Sequence, residues 1–191
     1  GSNNVAIGNY SLRENTTGNQ NTALGWCTLF YNTTGAYNTA LGGRALQANT
    51  TGNYNTAIGR YSLYSNTEGE QNTALGWEAL KSNTTAYYNT AIGTQALTAN
   101  TTGSSNIALG SRALQSNTTG SGNTATGYHS LQSNTTGTRN IAFGYRALDV
   151  SDDESDNLAI GYEALGANID GGEYNVAIGN YSLDANTTGD Y

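Results

Sequence analysis

Few residues in this sequence could support catalysis. It holds one cysteine, Cys27, and one histidine, His129, and a Cys–His pair acts only when thiol and imidazole lie within hydrogen-bond reach. The two are six copies apart in a 17-residue repeat, on the order of 30 Å if successive copies stack like paired strands. His129 occupies a variable position and is expected at the surface. The sequence therefore predicts no catalytic dyad, no cofactor site, no internal disulfide and no enzymatic activity.

Several carboxylates cluster in one turn, which makes this turn a candidate metal site. The turn carries Asp152, Asp153, Glu154 and Asp156, and clustered carboxylates suit a hard cation such as calcium. Their spacing matches neither an EF-hand loop nor the glycine-rich calcium repeats of other solenoids. We expect a solvated acidic loop here and keep a cation site as the alternative.

A recurring Asn-Thr-Thr turn offers a second chemistry. In a secreted chain, an Asn-x-Thr sequon can accept a glycan, and a row of sequons would place glycans along one edge. Stacked asparagines also form hydrogen-bonded ladders, and Asn with Thr satisfies turn backbone groups locally. Both roles stay open. The residues concerned are Asn15, Asn32, Asn49, Asn83, Asn100, Asn117, Asn134 and Asn186.

Aromatic side chains at variable positions are candidates for recognition of sugars or proteins. Tyr37 and Tyr54 hold the same position in successive copies and are predicted to stack. Packing between coils or between chains is an equally good interpretation of these aromatics. The two threonines of each turn are adjacent, so in an extended chain they would point to opposite faces, which disfavours an ice-binding array. The aromatic candidates are Trp26, Tyr37, Tyr54, Trp77, Tyr87 and Tyr88.

All of these residues are positioned by one repeat. Its opening Asn recurs at 4, 21, 38, 55, 72, 89, 106, 123, 140, 157 and 175, with every step 17 residues except the last, which is 18. Within the unit, Asn at position 1, Ala at 3, Gly at 5 and Leu at 9 occur in all eleven copies. A fixed period of this kind predicts stacked units that contact only their neighbours.

Each unit predicts two short strands and two turns. The strands cover positions 2–4 and 8–11, and the turns are Gly at 5 and Asn-Thr-Thr-Gly at 12–15. The fold class is therefore all-β: a parallel β-solenoid of eleven 17-residue coils, a single array over residues 1–191 and on the order of 50 Å long. Residues 149–174 form irregular acidic and inserted turns. We expect the leucine-bearing face, including positions 2 and 4, to fill the coil and the Ala/Gly stripe to face outward.

So thin a coil predicts self-association. It buries little apolar area against an ordering cost of roughly 1–2 kcal/mol per residue. Burial of the Ala/Gly stripe against other chains would add the missing area, and a symmetric ring of chains is the natural closed form.

The repeats resemble those of a known family. The segments 4–8, 55–59, 89–93 and 175–179 read Asn-Val-Ala-Ile-Gly or Asn-Thr-Ala-Ile-Gly, each followed by an Ala-Leu or Ser-Leu pair. They resemble the head repeats of trimeric autotransporter adhesins, the YadA-like heads, and similar repeats occur in phage tail fibres. The resemblance implies a left-handed parallel β-roll, a homotrimer, and a place at a bacterial surface or on a virion, where it binds host matrix or a receptor.

Charge and hydropathy restrict the classes of partner that this chain is expected to bind. The net charge is −7, and the seven Lys and Arg residues are scattered singly, so we expect no nucleic-acid partner. No apolar run approaches the length of a membrane span, and no signal peptide is evident. Because the sequence begins within a repeat, we expect it to be an excised length of a longer chain.

The functional prediction is a non-enzymatic extracellular fibre or adhesin segment that displays a rigid rod for surface attachment. Its expected partners are other copies of itself and a host surface protein or glycan. Three alternatives stay open: a phage tail-fibre shaft, a secreted end-to-end filament with glycans on the Asn-Thr-Thr turns, and an ice-binding solenoid.

Overall fold

The computed structural model describes residues 1–167 and 171–185, and this part of the chain holds eleven three-residue strands and no helix. The strands form one parallel sheet in chain order. The predicted all-β parallel solenoid with a 17-residue period is confirmed. The strands are β1 (Val5–Ile7), β2 (Thr22–Leu24), β3 (Thr39–Leu41), β4 (Thr56–Ile58), β5 (Thr73–Leu75), β6 (Thr90–Ile92), β7 (Ile107–Leu109), β8 (Thr124–Thr126), β9 (Ile141–Phe143), β10 (Leu158–Ile160) and β11 (Val176–Ile178).

The register of the sheet follows the repeat. Ala40 of β3 pairs with Ala57 of β4, so equivalent residues lie above one another from coil to coil. Backbone hydrogen bonds between successive coils continue beyond the strands. For example, the Thr39 N–H donates to the Asn55 carbonyl at 2.8 Å. The extra residue of the tenth coil leaves this register intact, because Ala159 still pairs with Ala177. The insertion is therefore absorbed outside the strands.

A glycine at position 5 closes each strand. Gly76 has a φ of 140°, and a Cβ atom there would lie 2.5 Å from the carbonyl oxygen of Gly93 in the next coil. Only glycine combines this backbone conformation with so close an approach of two coils. This contact explains Gly at position 5 in the first ten copies, and Gly179 in the last copy shares the positive φ, at 126°.

The second predicted strand, at positions 8–11, is wrong. The chain there forms turns in which alternate residues adopt left-handed backbone conformations, with φ of 63° at Arg44 and 50° at Leu46. Such residues curl the chain back instead of extending it, at a cost of about 1–2 kcal/mol each. Bonds to neighbouring coils offset that cost: the Arg44 N–H donates to Trp26 at 2.8 Å and the Leu46 N–H to Ser62 at 3.0 Å.

The prediction of which strand face lies inside is also wrong. The alanines at position 3, such as Ala40 and Ala57, are fully buried, whereas Leu41 at position 4 is 40% exposed. The coil interior is filled by the leucine at position 9 and the small residue at position 8, as at Leu46 and Ala45, both fully buried. Beside a leucine in so narrow a coil, there is space for a methyl group from the strand but not for a second large side chain.

In the described part of the chain, we find no helix with the length and apolar character needed to cross a bilayer.

Candidate interaction surfaces

Many of the exposed apolar side chains lie on the outer strand face, which we define as the outward side chains at positions 2 and 4 of the strands. Twelve large apolar side chains on this face are more than a third exposed. In-register pairing puts like side chains in straight columns, for example Leu24 beside Leu41 and Leu41 beside Ile58. Contiguous apolar surface of this kind is typical of interaction sites. The twelve are Val5, Ile7, Leu24, Leu41, Leu75, Ile92, Ile107, Ile141, Phe143, Ile160, Val176 and Ile178.

The asparagines of the Asn-Thr-Thr turns form a hydrogen-bonded ladder inside the rod. Asn49 Nδ2 donates to Asn32 Oδ1 at 2.7 Å and to the Gly52 carbonyl at 3.0 Å, and Asn49 Oδ1 accepts from Asn66 Nδ2 at 2.9 Å. The same pattern runs from Asn15 to Asn134, and Asn186 lies outside the described residues.

The contacts of this ladder favour the structural role over glycosylation. The side chains from Asn32 to Asn134 are fully buried, and both hydrogens of Nδ2 are donated. A glycan would need the same nitrogen at the surface. The first threonine of the turn is also engaged, since Thr50 Oγ1 donates to the Thr67 carbonyl at 3.0 Å. The first threonines of the turns therefore do not present a free hydroxyl row.

A second ladder is formed by the Asn at position 1. Asn72 Nδ2 donates to the Ala86 carbonyl at 2.8 Å, and Asn72 Oδ1 accepts from the backbone N–H of Asn89 at 3.0 Å. This amide closes the coil on one side and joins the next coil on the other. Its presence in every copy has a structural cause.

The acidic turn separates the four candidate metal ligands. Carboxylate oxygens of Asp152, Asp153 and Glu154 lie within 4.8 Å of one another, but Asp156 makes a bidentate ion pair with Arg139, with both N···O distances 2.6 Å. That hydrogen-bonded pair lowers the pKa of Asp156. The structure thus brings three of the four residues together and assigns the fourth to a salt bridge.

Glu154 has a structural role within this turn. Its carboxylate is buried and accepts hydrogen bonds from Ser151 Oγ at 2.6 Å and from the backbone N–H groups of Asp152 and Gly171 at 3.0 and 3.2 Å. Burial opposes ionisation, but the Ser151 and backbone bonds outweigh it and lower the pKa of Glu154. The Glu154 charge in turn raises the pKa of Asp153. Since Ser151 replaces the ladder asparagine in this coil, the Glu154 carboxylate supplies the missing hydrogen-bonding group.

Some aromatic side chains of successive coils stack on one another in columns along the rod. Tyr37 and Tyr54 stack as predicted, with ring centroids 4.9 Å apart. A longer stack of Tyr128, Tyr145 and Tyr162, with spacings of 5.5 and 5.0 Å, was not predicted. The signal for it is the recurrence of Tyr at position 6 in three successive copies.

Cys27 and His129, the single thiol and the single imidazole of the chain, lie far apart. Cys27 holds the same repeat position as His129, which was expected at the surface, but Cys27 is buried. His129 stacks on Tyr128 with ring centroids 3.9 Å apart. Burial lowers the pKa of His129, and the charges of Arg112 and Arg146 add to this effect. These two groups remain six coils apart and form no dyad.

Three basic side chains lie around the ring of Tyr61, although the sequence suggested that the basic residues were scattered singly. Arg44, Arg60 and Lys81 belong to three successive coils, and their charged groups lie 5.7, 4.7 and 5.7 Å from the Tyr61 ring centroid. The sequence signal is weak, because these cations occupy three different positions of the repeat. We call these four residues the cationic cluster.

Comparisons with known proteins add no relatives. No protein-family model matches the chain, and neither curated proteins nor solved structures contain a match.

Proposed function

We propose that this chain is a segment of a non-enzymatic extracellular fibre that associates laterally with copies of itself and displays a rigid rod for surface attachment. The observation that carries the proposal is the outer strand face, a straight apolar surface on an otherwise polar, repetitive rod. In a single chain, this face leaves large aliphatic side chains in water in nine of the eleven coils, which is unfavourable.

A second copy of the chain is the occupant that fits this face. Its columns repeat with every coil, so a surface that covers them over their full length must have the same repeat. Another copy of the rod meets that requirement, and rotational symmetry would close the assembly. The resemblance to YadA-like heads favours three chains and a left-handed roll. The association face differs from the one predicted from sequence, because the Ala stripe is inside the coil.

Mechanical display follows from this architecture. Each coil is held to the next by backbone bonds, amide ladders and buried leucines, so that the rod keeps its shape along its length. Outward positions on the edges vary from coil to coil and can make weak contacts that several chains multiply. A phage tail-fibre shaft would use the same rod as a spacer, and flanking sequence with a tail-attachment domain would favour that alternative.

The experiment is a measurement of molar mass in solution by light scattering, combined with paired substitutions. We expect a mass three times that of the chain, and a lower mass when Leu41 and Leu75 are both replaced by lysine. The matched control introduces lysine instead at Thr51 and Thr85, which lie in the same two coils but on the Asn-Thr-Thr turns. This variant should remain oligomeric. A monomeric wild-type chain, or equal dissociation of both double variants, would refute the proposal.

A further inference from the structure

We propose that the cationic cluster, with the two exposed tryptophans beside it, binds a sulfated polysaccharide. This inference deepens the proposed attachment function by naming the class of ligand, and it rests on that function. It concerns positions 6, 7 and 10 of coils two to five, which lie outside the outer strand face.

The cluster brings like charges together with little compensation. Lys81 Nζ pairs with Glu78 Oε1 at 2.7 Å, whereas Arg44 and Arg60 make no ion pair within the described residues. Arg60 Nη2 instead donates to the Tyr61 hydroxyl at 3.2 Å. Three cations and one carboxylate leave a local excess of two positive charges. An anionic group between them would relieve the repulsion.

Charge is distributed unevenly along the chain. Residues 1–148 carry seven basic and four acidic residues, a net of +3, whereas residues 149–191 carry ten acidic and no basic ones, a net of −10. Burial opposes ionisation of Glu78, but hydrogen bonds from Lys81 and Gln95 and the charges of Lys81 and Arg60 lower its pKa. Anions are therefore attracted to the coils of the cluster and repelled by the last coils of the rod.

Two indole rings favour a sugar chain as the carrier of the anionic groups. Trp26 and Trp77 are 47% and 45% exposed and share position 6. They are three coils apart, roughly 14 Å at the spacing of paired strands. Gly43, between them in the same column, has open space where a side chain would begin, and the Arg44 guanidinium lies 4.6 Å from the Trp26 ring centroid. Indoles offer broad apolar surfaces to the CH faces of sugars, while the cations between them would take sulfate groups.

A polynucleotide fits this surface less well. A strand long enough to reach the last coils would be repelled there, because residues 149–191 carry a net charge of −10. A sulfated polysaccharide alternates charged groups with uncharged ring faces. That alternation matches a cluster of cations between two indoles.

The test measures binding of heparin oligosaccharides to the whole chain at low and moderate salt, with dextran and single-stranded oligo-dT as comparison probes. We expect salt-dependent heparin binding, weaker oligo-dT binding and none to dextran. Arg60→Gln and Lys81→Gln should each weaken heparin binding by about five- to tenfold, the effect of one charge-assisted contact. Trp77→Ala should weaken it without changing the salt dependence.

The matched control is Arg112→Gln, which removes another arginine with no ion pair in the described part of the chain but lies two coils beyond the cluster. It should bind heparin like the wild type. Equal losses from the Arg60 and Arg112 variants, no loss from the cluster variants, or tighter oligo-dT binding would overturn the inference. Molar mass is measured on the same samples. An intact oligomer that does not bind heparin refutes the site alone, and a monomer that binds refutes the assembly alone.

Discussion

Replacement of Asn49 by alanine removes one rung of the buried amide ladder. Three hydrogen bonds disappear: those from Asn49 Nδ2 to Asn32 Oδ1 and to the Gly52 carbonyl, and the one that Asn49 Oδ1 accepts from Asn66. Asn66 Nδ2 keeps its bond to the Gly69 carbonyl, so one of its two hydrogens remains satisfied. The Gly52 carbonyl also keeps a donor, Asn38 Nδ2 at 2.9 Å. The groups left without a partner are Asn32 Oδ1 and one hydrogen of Asn66 Nδ2, both of them buried.

The magnitude follows from these contacts. A typical internal hydrogen bond contributes about 1 kcal/mol net, and a buried polar group left unpaired costs about 1–3 kcal/mol. Three lost bonds and two unpaired buried groups give an expected loss of about 3–5 kcal/mol in the free energy of unfolding. Asn49→Asp should cost more than alanine at neutral pH, because it places a carboxylate against two buried oxygens. That burial raises the folded-state pKa of the new aspartate, so part of the loss should be recovered as the pH falls.

The assay is urea unfolding followed by far-UV circular dichroism at one fixed protein concentration. The matched control is Asn9→Ala, since Asn9 is exposed and its side chain makes no hydrogen bond in the described structure. We expect the control to change stability by less than about 0.5 kcal/mol. If Asn49→Ala is as mild as the control, the ladder does not stabilise the rod and the reasoning fails.

Three further predictions concern orientation, pH and modification. Ala40→Leu should destabilise the coil by about 1–3 kcal/mol in urea unfolding, because it overfills the interior, whereas Leu41→Thr should leave the circular dichroism spectrum intact, since Thr126 holds that position in β8. The lowered folded-state pKa of His129 favours the neutral ring, so stability should fall as the pH drops through the unfolded value near 6.5; His129→Gln should lack this contribution in unfolding midpoints measured across pH. The intact mass of the folded chain from glycosylating cells should equal that of the polypeptide, and a glycan on Asn49 would refute the ladder assignment.

The period of the sequence was sufficient to predict the parallel stack, because equivalent residues 17 apart must meet when identical coils pile up. Alternation within the strand correctly predicted that Ala40 faces away from Leu41 and Thr39. It could not show which side was interior, since that depends on the room left beside the buried leucine at position 9. A signal was present: position 3 is always Ala, while position 4 varies in size from Thr to Phe, and such tolerance is typical of an outward position.

The turns and the cationic cluster were harder to predict for different reasons. Leucine rarely adopts a left-handed conformation, so positions 8–11, residues 45–48 in the third coil, read as a strand. The turn forms because neighbouring coils supply partners for N–H groups such as that of Leu46. The cluster combines positions 6, 7 and 10 of three coils. Their convergence on Tyr61 depends on side-chain directions that linear spacing does not contain.

The two proposed surfaces differ in a way that bears on their roles. The outer strand face is nearly uniform, because almost every coil repeats a β-branched residue or leucine at positions 2 and 4, and a uniform surface recognises another surface of the same period. The neighbouring edge changes from Trp26 to Gly43 to Arg60 along a single column. Only such variation can distinguish one part of the rod from another, so selective contacts with a ligand must come from the edges. The interior is meanwhile held constant, which allows the edges to vary without loss of the coil.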